Sequence, residues 1–142
     1  MPQAVKMQYV DRLLEVSVKT AVTLRNLPPP ALHCVLASAA VRFEGGTRWT
    51  EREVNERLRD WLAHEGSMLA TDHVELRRVL VDVGLLARDG FGHSYWRPAT
   101  AEPFAPIVEE LSTNNLRSAI ANARTERDLQ RTARARLRGV KS

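Results

Sequence analysis

The chain has 142 residues, 44% hydrophobic and 27% charged, with a formal net charge of +4, which suits one globular domain with appended helices. No apolar run approaches the roughly 18 to 20 residues needed to cross a bilayer, and no membrane partner is expected. A single cysteine, Cys34, excludes an internal disulfide and any multi-cysteine zinc site; the N-terminus lacks the pattern of a secretory signal, and a cytoplasmic protein is expected.

The N-terminal segment, residues 1–29, reads as helix on Val10, Leu14, Val18 and Ala21, although Val16, Val18, Thr20, Val22 and Leu24 also fit strand alternation. As a helix it would serve as a dimerisation arm or pack on its own core. Pro28-Pro29-Pro30 ends it, because consecutive prolines hold the backbone extended and supply no amide donors. A helix then starts at Pro30 with Leu32, Val35, Leu36, Ala39 and Ala40 on its buried face, and Gly45-Gly46 ends it after Phe43. Thr47-Arg48-Trp49 forms a short strand. Thr50 and Glu53 make a capping box for a helix that buries Val54, Leu58, Trp61 and Leu62. Thr71-Asp72 with Glu75 starts another, running to Val83 with Leu76, Val79, Leu80 and Val83 inward, and Gly84 stops it.

Leu85-Leu86-Ala87-Arg88 and Ser94-Tyr95-Trp96-Arg97 flank the turn Asp89-Gly90-Phe91-Gly92, which predicts a β-hairpin. The resulting fold is mainly α with a small β-hairpin, in the order of a winged helix-turn-helix over residues 30–97. Residues 98–112 form a Pro/Glu linker with a short helix, and residues 113–142 an Ala- and Arg-rich helical tail.

The blocks Trp49-Thr50-Glu51-Arg52-Glu53-Val54-Asn55, then the run from Leu76 to Arg88, then Gly92-His93-Ser94-Tyr95-Trp96-Arg97, resemble one bacterial family. It is domain-of-unknown-function family 2087, seen in predicted transcriptional regulators and sometimes fused to an ArsR-type helix-turn-helix. The resemblance covers about residues 31–97. It implies a winged-helix-like fold and a regulatory setting, and brings no ligand or catalytic set. Two departures matter: residues 64–70 look like an insertion between the last two helices, and residues 1–29 are too few for a full ArsR-type domain.

Charge is unevenly spread. Residues 30–97 carry nine basic and ten acidic side chains, whereas residues 113–142 carry eight basic and two acidic. In a helix-turn-helix the second helix meets base edges, so His73, Arg77 and Arg78 are candidate contacts, with Arg88 at the base of the wing. The alternative pairs Arg77 and Arg78 with Glu75, Asp82 or neighbours on a solvated surface. Phe91 is expected to tuck onto the core rather than stack on bases.

In the tail, Arg124, Arg127, Arg131, Arg134, Arg138 and Lys141 recur three and four apart and form a cationic stripe suited to phosphates. Leu129, Ala133, Leu137 and Val140 form a second face that would pack on a protein surface. Leu116, Ile120 and Ala123 extend the basic stripe backwards, and a capping box at Thr125 and Asp128 predicts a fresh start or bend there.

Catalysis is not expected, nor is a cofactor or metal. His33, His64, His73 and His93 lack ligand spacing, and only His64, Glu65 and His73 offer a remote metal alternative. The expected function is nucleic-acid binding, on duplex DNA, by a homodimeric transcriptional regulator. The alternative is a winged-helix module that binds a protein partner.

Overall fold

A computed structural model describes residues 7–91 and 93–140. It is mainly helical: α1 (Gln8–Ser17), α2 (Pro29–Ala40), β1 (Arg48–Trp49), α3 (Glu51–Ala63), α4 (His73–Asp82), β2 (Ala87–Arg88), β3 (Tyr95–Trp96), α5 (Ala105–Ser112) and α6 (Leu116–Val140). The strands form one antiparallel sheet in the order β1-β3-β2, with Arg48 opposite Trp96 on one side of β3 and Ala87 opposite Trp96 on the other.

The helix starts follow local chemistry. At α3 the Thr50 hydroxyl accepts from the Glu53 amide at 3.1 Å and the Glu53 carboxylate accepts from the Thr50 amide at 2.9 Å. Those bonds to Thr50 hold the Glu53 carboxyl below its ordinary range. At α4 the Asp72 carboxylate accepts from the Glu75 amide at 2.8 Å, while Thr71 donates to the Glu75 carboxylate at 2.9 Å. Gly84 has φ +82, so a side chain there would be strained.

Some expectations need correction. The stripe of α1 is Val10, Leu13 and Val16; Leu14 is only half-buried, and the helix ends at Ser17, before Ala21. α2 ends at Ala40, and Phe43 is buried in the turn beyond it, edge-on to Trp49. Val83 is 40% exposed, because α4 buries Leu76 and Leu80 and is already over at Asp82. α6 runs through Thr125 as one helix with no fresh start: its cap is Asn115, whose side chain accepts from the Ser118 amide at 3.1 Å.

The core is continuous. α1 packs on α2, α5 and α6, α2 on α5, and α3 on α4, with Leu13, Cys34, Phe43, Trp61, Leu80 and Leu111 fully buried. The segment expected as an insertion is part of this core. Met68 is buried, Val22 bridges Leu69 in parallel, and Gly66 lies against the ring of Trp61. Burial also pushes the Cys34 thiol up to about 11, so it stays protonated.

An ionic cluster fastens the root of α6. Glu65, 3% exposed, accepts from Arg117 at 2.9 Å and pairs with Arg42 at 3.5 Å. Both arginines also reach Asp60 on α3. The hydrogen bond from Arg117 holds the Asp60 carboxyl below its ordinary range.

Candidate nucleic-acid interface

Two surfaces carry the candidate residues. The first joins α4 to the hairpin. Once Leu76 and Leu80 are buried, the helical period turns Val74, Arg78, Val81 and Asp82 outward. With Arg77, Arg88 and Tyr95 they line a cleft of about 190 Å³. Arg78 and Arg88 are exposed, and among the described residues neither side chain makes a hydrogen bond or ion pair.

Arg77 is placed differently. Its guanidinium donates to the Asn55 side chain, pairs with Glu51 at 3.1 Å and lies 6.0 Å over the Tyr95 ring. With 18% of its side chain exposed, it ties α4 to α3 and has little left for a ligand. Its partners differ from the Glu75 and Asp82 of the sequence alternative. His73 is half-buried and accepts from Arg59 at 3.3 Å, since a guanidinium only donates. It therefore also faces α3.

The hairpin tip overturns one expectation. Phe91 is 85% exposed and stacks on the His93 ring at 6.0 Å instead of tucking onto the core. The turn is organised by Asp89, whose carboxylate accepts from the amides of His93 at 2.8 Å and Phe91 at 3.2 Å. These bonds hold its carboxyl low and project the Phe91 ring away from the body. Gly92, in the same turn, lies outside the described residues.

The second surface is α6. Leu116 and Ile120 are buried, and one turn further along the same face Arg124 meets the body. Arg124 donates to the carbonyls of Ser17 at 3.0 Å, His64 at 2.6 Å and Glu65 at 3.1 Å. Burial lowers its pKa, and the three carbonyls compensate the lost water. Arg124 thus belongs to the joint, not to a free stripe.

From Thr125 to Gly139 every residue is exposed, so α6 projects as an arm. Arg127, Arg131, Arg134 and Arg138 continue the face that Leu116 and Ile120 began, and the face turns from apolar to basic where the body ends. Arg136, missed in the stripe, lies on the other side. Among the described residues none of these five arginines makes an ion pair. Lys141 lies outside the described residues, as does the side chain of Val140. Leu129 and Leu137, expected to pack on a protein surface, are 61% and 65% exposed, Leu129 opposite the arginines and Leu137 about a quarter-turn from them.

His64, Glu65 and His73 do not converge on a metal geometry. His64 meets Asp60 at 3.3 Å, Glu65 turns inward to Arg42 and Arg117, and His73 faces Arg59. Among the described residues no three His, Cys, Asp or Glu side chains come together as a metal site. Among them, too, no helix is long and apolar enough to cross a membrane.

Sequence reasoning also missed Lys19. It sits beside Arg127 and Arg131 in a cleft at the arm's root, and nothing local in its neighbourhood signals that.

Residues 31–97 match the model of a family described as an uncharacterized protein conserved in bacteria, DUF2087. No curated protein and no solved structure matches the chain.

Proposed function

Given that match over residues 31–97, we propose that the chain is a winged-helix nucleic-acid binder, acting on duplex DNA as a transcriptional regulator. The observation that carries this reading is the arm. Five arginines without ion-pair partners stand on an exposed helix, four of them along one side. Such an array gains free energy by neutralising phosphates and releasing their counterions.

The element order supports the same reading. α2, β1, α3, α4 and the β2–β3 hairpin follow one another in winged-helix sequence, with β1 closing the sheet. In this reading α4 enters the major groove with Arg78 forward, and Arg88 and Phe91 contact the backbone or sugars beside it. Arg77 holds α4 at its angle. A homodimer formed through Leu129 and Leu137 would leave both arginine faces outward, for paired half-sites.

The test is fluorescence anisotropy with random duplex DNA and with RNA across a salt series. Duplex binding that tightens as salt is lowered is expected. Arg78→Glu with Arg88→Glu should abolish any preference among duplex sequences while leaving a salt-dependent residue of affinity from the arm. A chain that binds neither nucleic acid at low salt refutes the reading.

The second reading, a winged-helix module for a protein partner, draws on the internal use of Arg77 and the exposed leucines. It requires that duplex binding be absent.

A further inference from the structure

Where α6 leaves the body, its basic face opens first onto a cleft of about 240 Å³. Lys19 and Thr20 form one wall just after α1, Ser67 contributes from the turn after α3, and Arg127, Asp128 and Arg131 form the other wall. Among the described residues Lys19, Arg127 and Arg131 make no ion pair, and Asp128 is the one carboxylate lining the cleft. With Arg124 at its base, four cations therefore line the cleft against one acid, and they converge from two elements far apart in sequence.

The walls are held in register before any ligand arrives. Arg124, at the base of the cleft, donates to the last carbonyl of α1 at Ser17 and to the carbonyls of His64 and Glu65. The three elements meeting there are thus joined at one guanidinium. A site whose charges are already placed loses little conformational entropy on binding.

We propose that this cleft binds phosphate, as one dianionic group or as two neighbouring monoanionic diesters, held by Lys19, Arg127 and Arg131. Two guanidinium forks one helical turn apart suit tetrahedral phosphate oxygens, and the ammonium of Lys19 adds a point charge from the opposite wall. The Thr20 and Ser67 hydroxyls supply further donors. A dianion relieves the mutual repulsion of the three cations, which a single carboxylate does less well. Asp128 opposes binding and sets an upper limit on affinity. The site does not depend on the nucleic-acid reading. The two charges come either from one phosphate of a small phosphorylated compound or from two adjacent diesters of a nucleic-acid backbone, each carrying one.

Pyrophosphate is the probe, titrated into the full chain by calorimetry at constant ionic strength, with duplex binding followed in parallel by anisotropy. Binding at one site per chain is expected. Lys19→Ala and Arg131→Ala should each weaken it at least tenfold, and Asp128→Asn should tighten it several-fold. Arg138→Ala, on the same helix face but beyond the cleft, should leave it unchanged. All four side chains are exposed, and a thermal melt of each variant verifies folding.

If Lys19→Ala also weakens duplex binding and pyrophosphate competes with duplex, the phosphate is that of a backbone. If duplex binding is untouched or absent while pyrophosphate binds, it is that of a small compound. No binding at millimolar pyrophosphate overturns the site. So does an equal loss for Arg138→Ala and Lys19→Ala, which would mean diffuse charge.

Discussion

Removing the chain after Arg124 separates the arm from the body without touching the joint. Leu116, Arg117, Ile120 and Arg124 remain, and every described residue removed up to Gly139 is exposed. Stability should therefore change little, since no buried side chain is lost and only the last retained turn of α6 gives up the amides that closed it. Binding should change far more. Arg127, Arg131, Arg134 and Arg138 lie on one side over a rise of about 16 Å, at roughly 1.5 Å per residue. If each neutralises one phosphate, they contribute about 3.6 to the slope of log affinity against log salt. Between 50 and 200 mM salt the full chain should then lose a factor of at least about 150 more than the truncated one, which also lacks Arg136 and Lys141. The assay is anisotropy on a random duplex at several salt concentrations, with glutamine at the four positions in the full chain as the charge-only control. Equal slopes for full and truncated chains would refute phosphate tracking by the arm. A large fall in the melting temperature would refute the arm's independence from the body.

Four further outcomes follow from the packing and the electrostatics. Gly66→Ala would drive a methyl into the ring of fully buried Trp61, and the Gly66 amide is bonded to the Trp61 carbonyl at 2.7 Å; a loss of about 1–3 kcal/mol should appear in urea unfolding, and a neutral result would contradict the close approach. Ala21 is exposed with φ +53, a left-handed conformation that costs a residue with a Cβ about 1 kcal/mol, so Ala21→Gly should raise stability by roughly that amount. The Asp60 carboxyl is held low in the fold by the hydrogen bond from Arg117, so its contribution is present above the ordinary aspartate range near about 3.9 and is lost as pH falls through the lower folded value; Asp60→Asn should flatten that acid limb of the stability curve, and an unchanged limb would place the acid sensitivity elsewhere. Phe91→Ala should leave the melting temperature unchanged, because the ring is 85% exposed, yet weaken duplex binding several-fold; a drop in stability would mean the ring packs after all.

Features governed by neighbours three or four residues apart were legible in the sequence. The Thr50 and Asp72 helix starts, the left-handed stop at Gly84 and the Ala87–Trp96 hairpin each rest on hydrogen bonds or dihedrals inside a short segment. The amphipathic period likewise identified Leu76 and Leu80 as the inner face of α4. At Thr125 local chemistry misled: a capping residue inside a strong helical sequence is carried along when the flanking turns already propagate.

Burial and partnership were not legible, because they depend on what arrives from far along the chain. Arg77 and Arg78 are adjacent and chemically identical, yet Asn55 and Glu51 claim one and leave the other free. Arg124 and Arg127 share a stripe, but only the first reaches the carbonyl of Ser17, 107 residues away. Lys19 gains its place beside Arg127 and Arg131 through that same joint. Composition and period thus determined a helical chain with a small sheet and a basic C-terminal helix, since those follow from backbone sterics and side-chain spacing. Which arginines brace the fold and which face solvent was decided only by tertiary structure, because a guanidinium is spent where the fold brings acceptors to it.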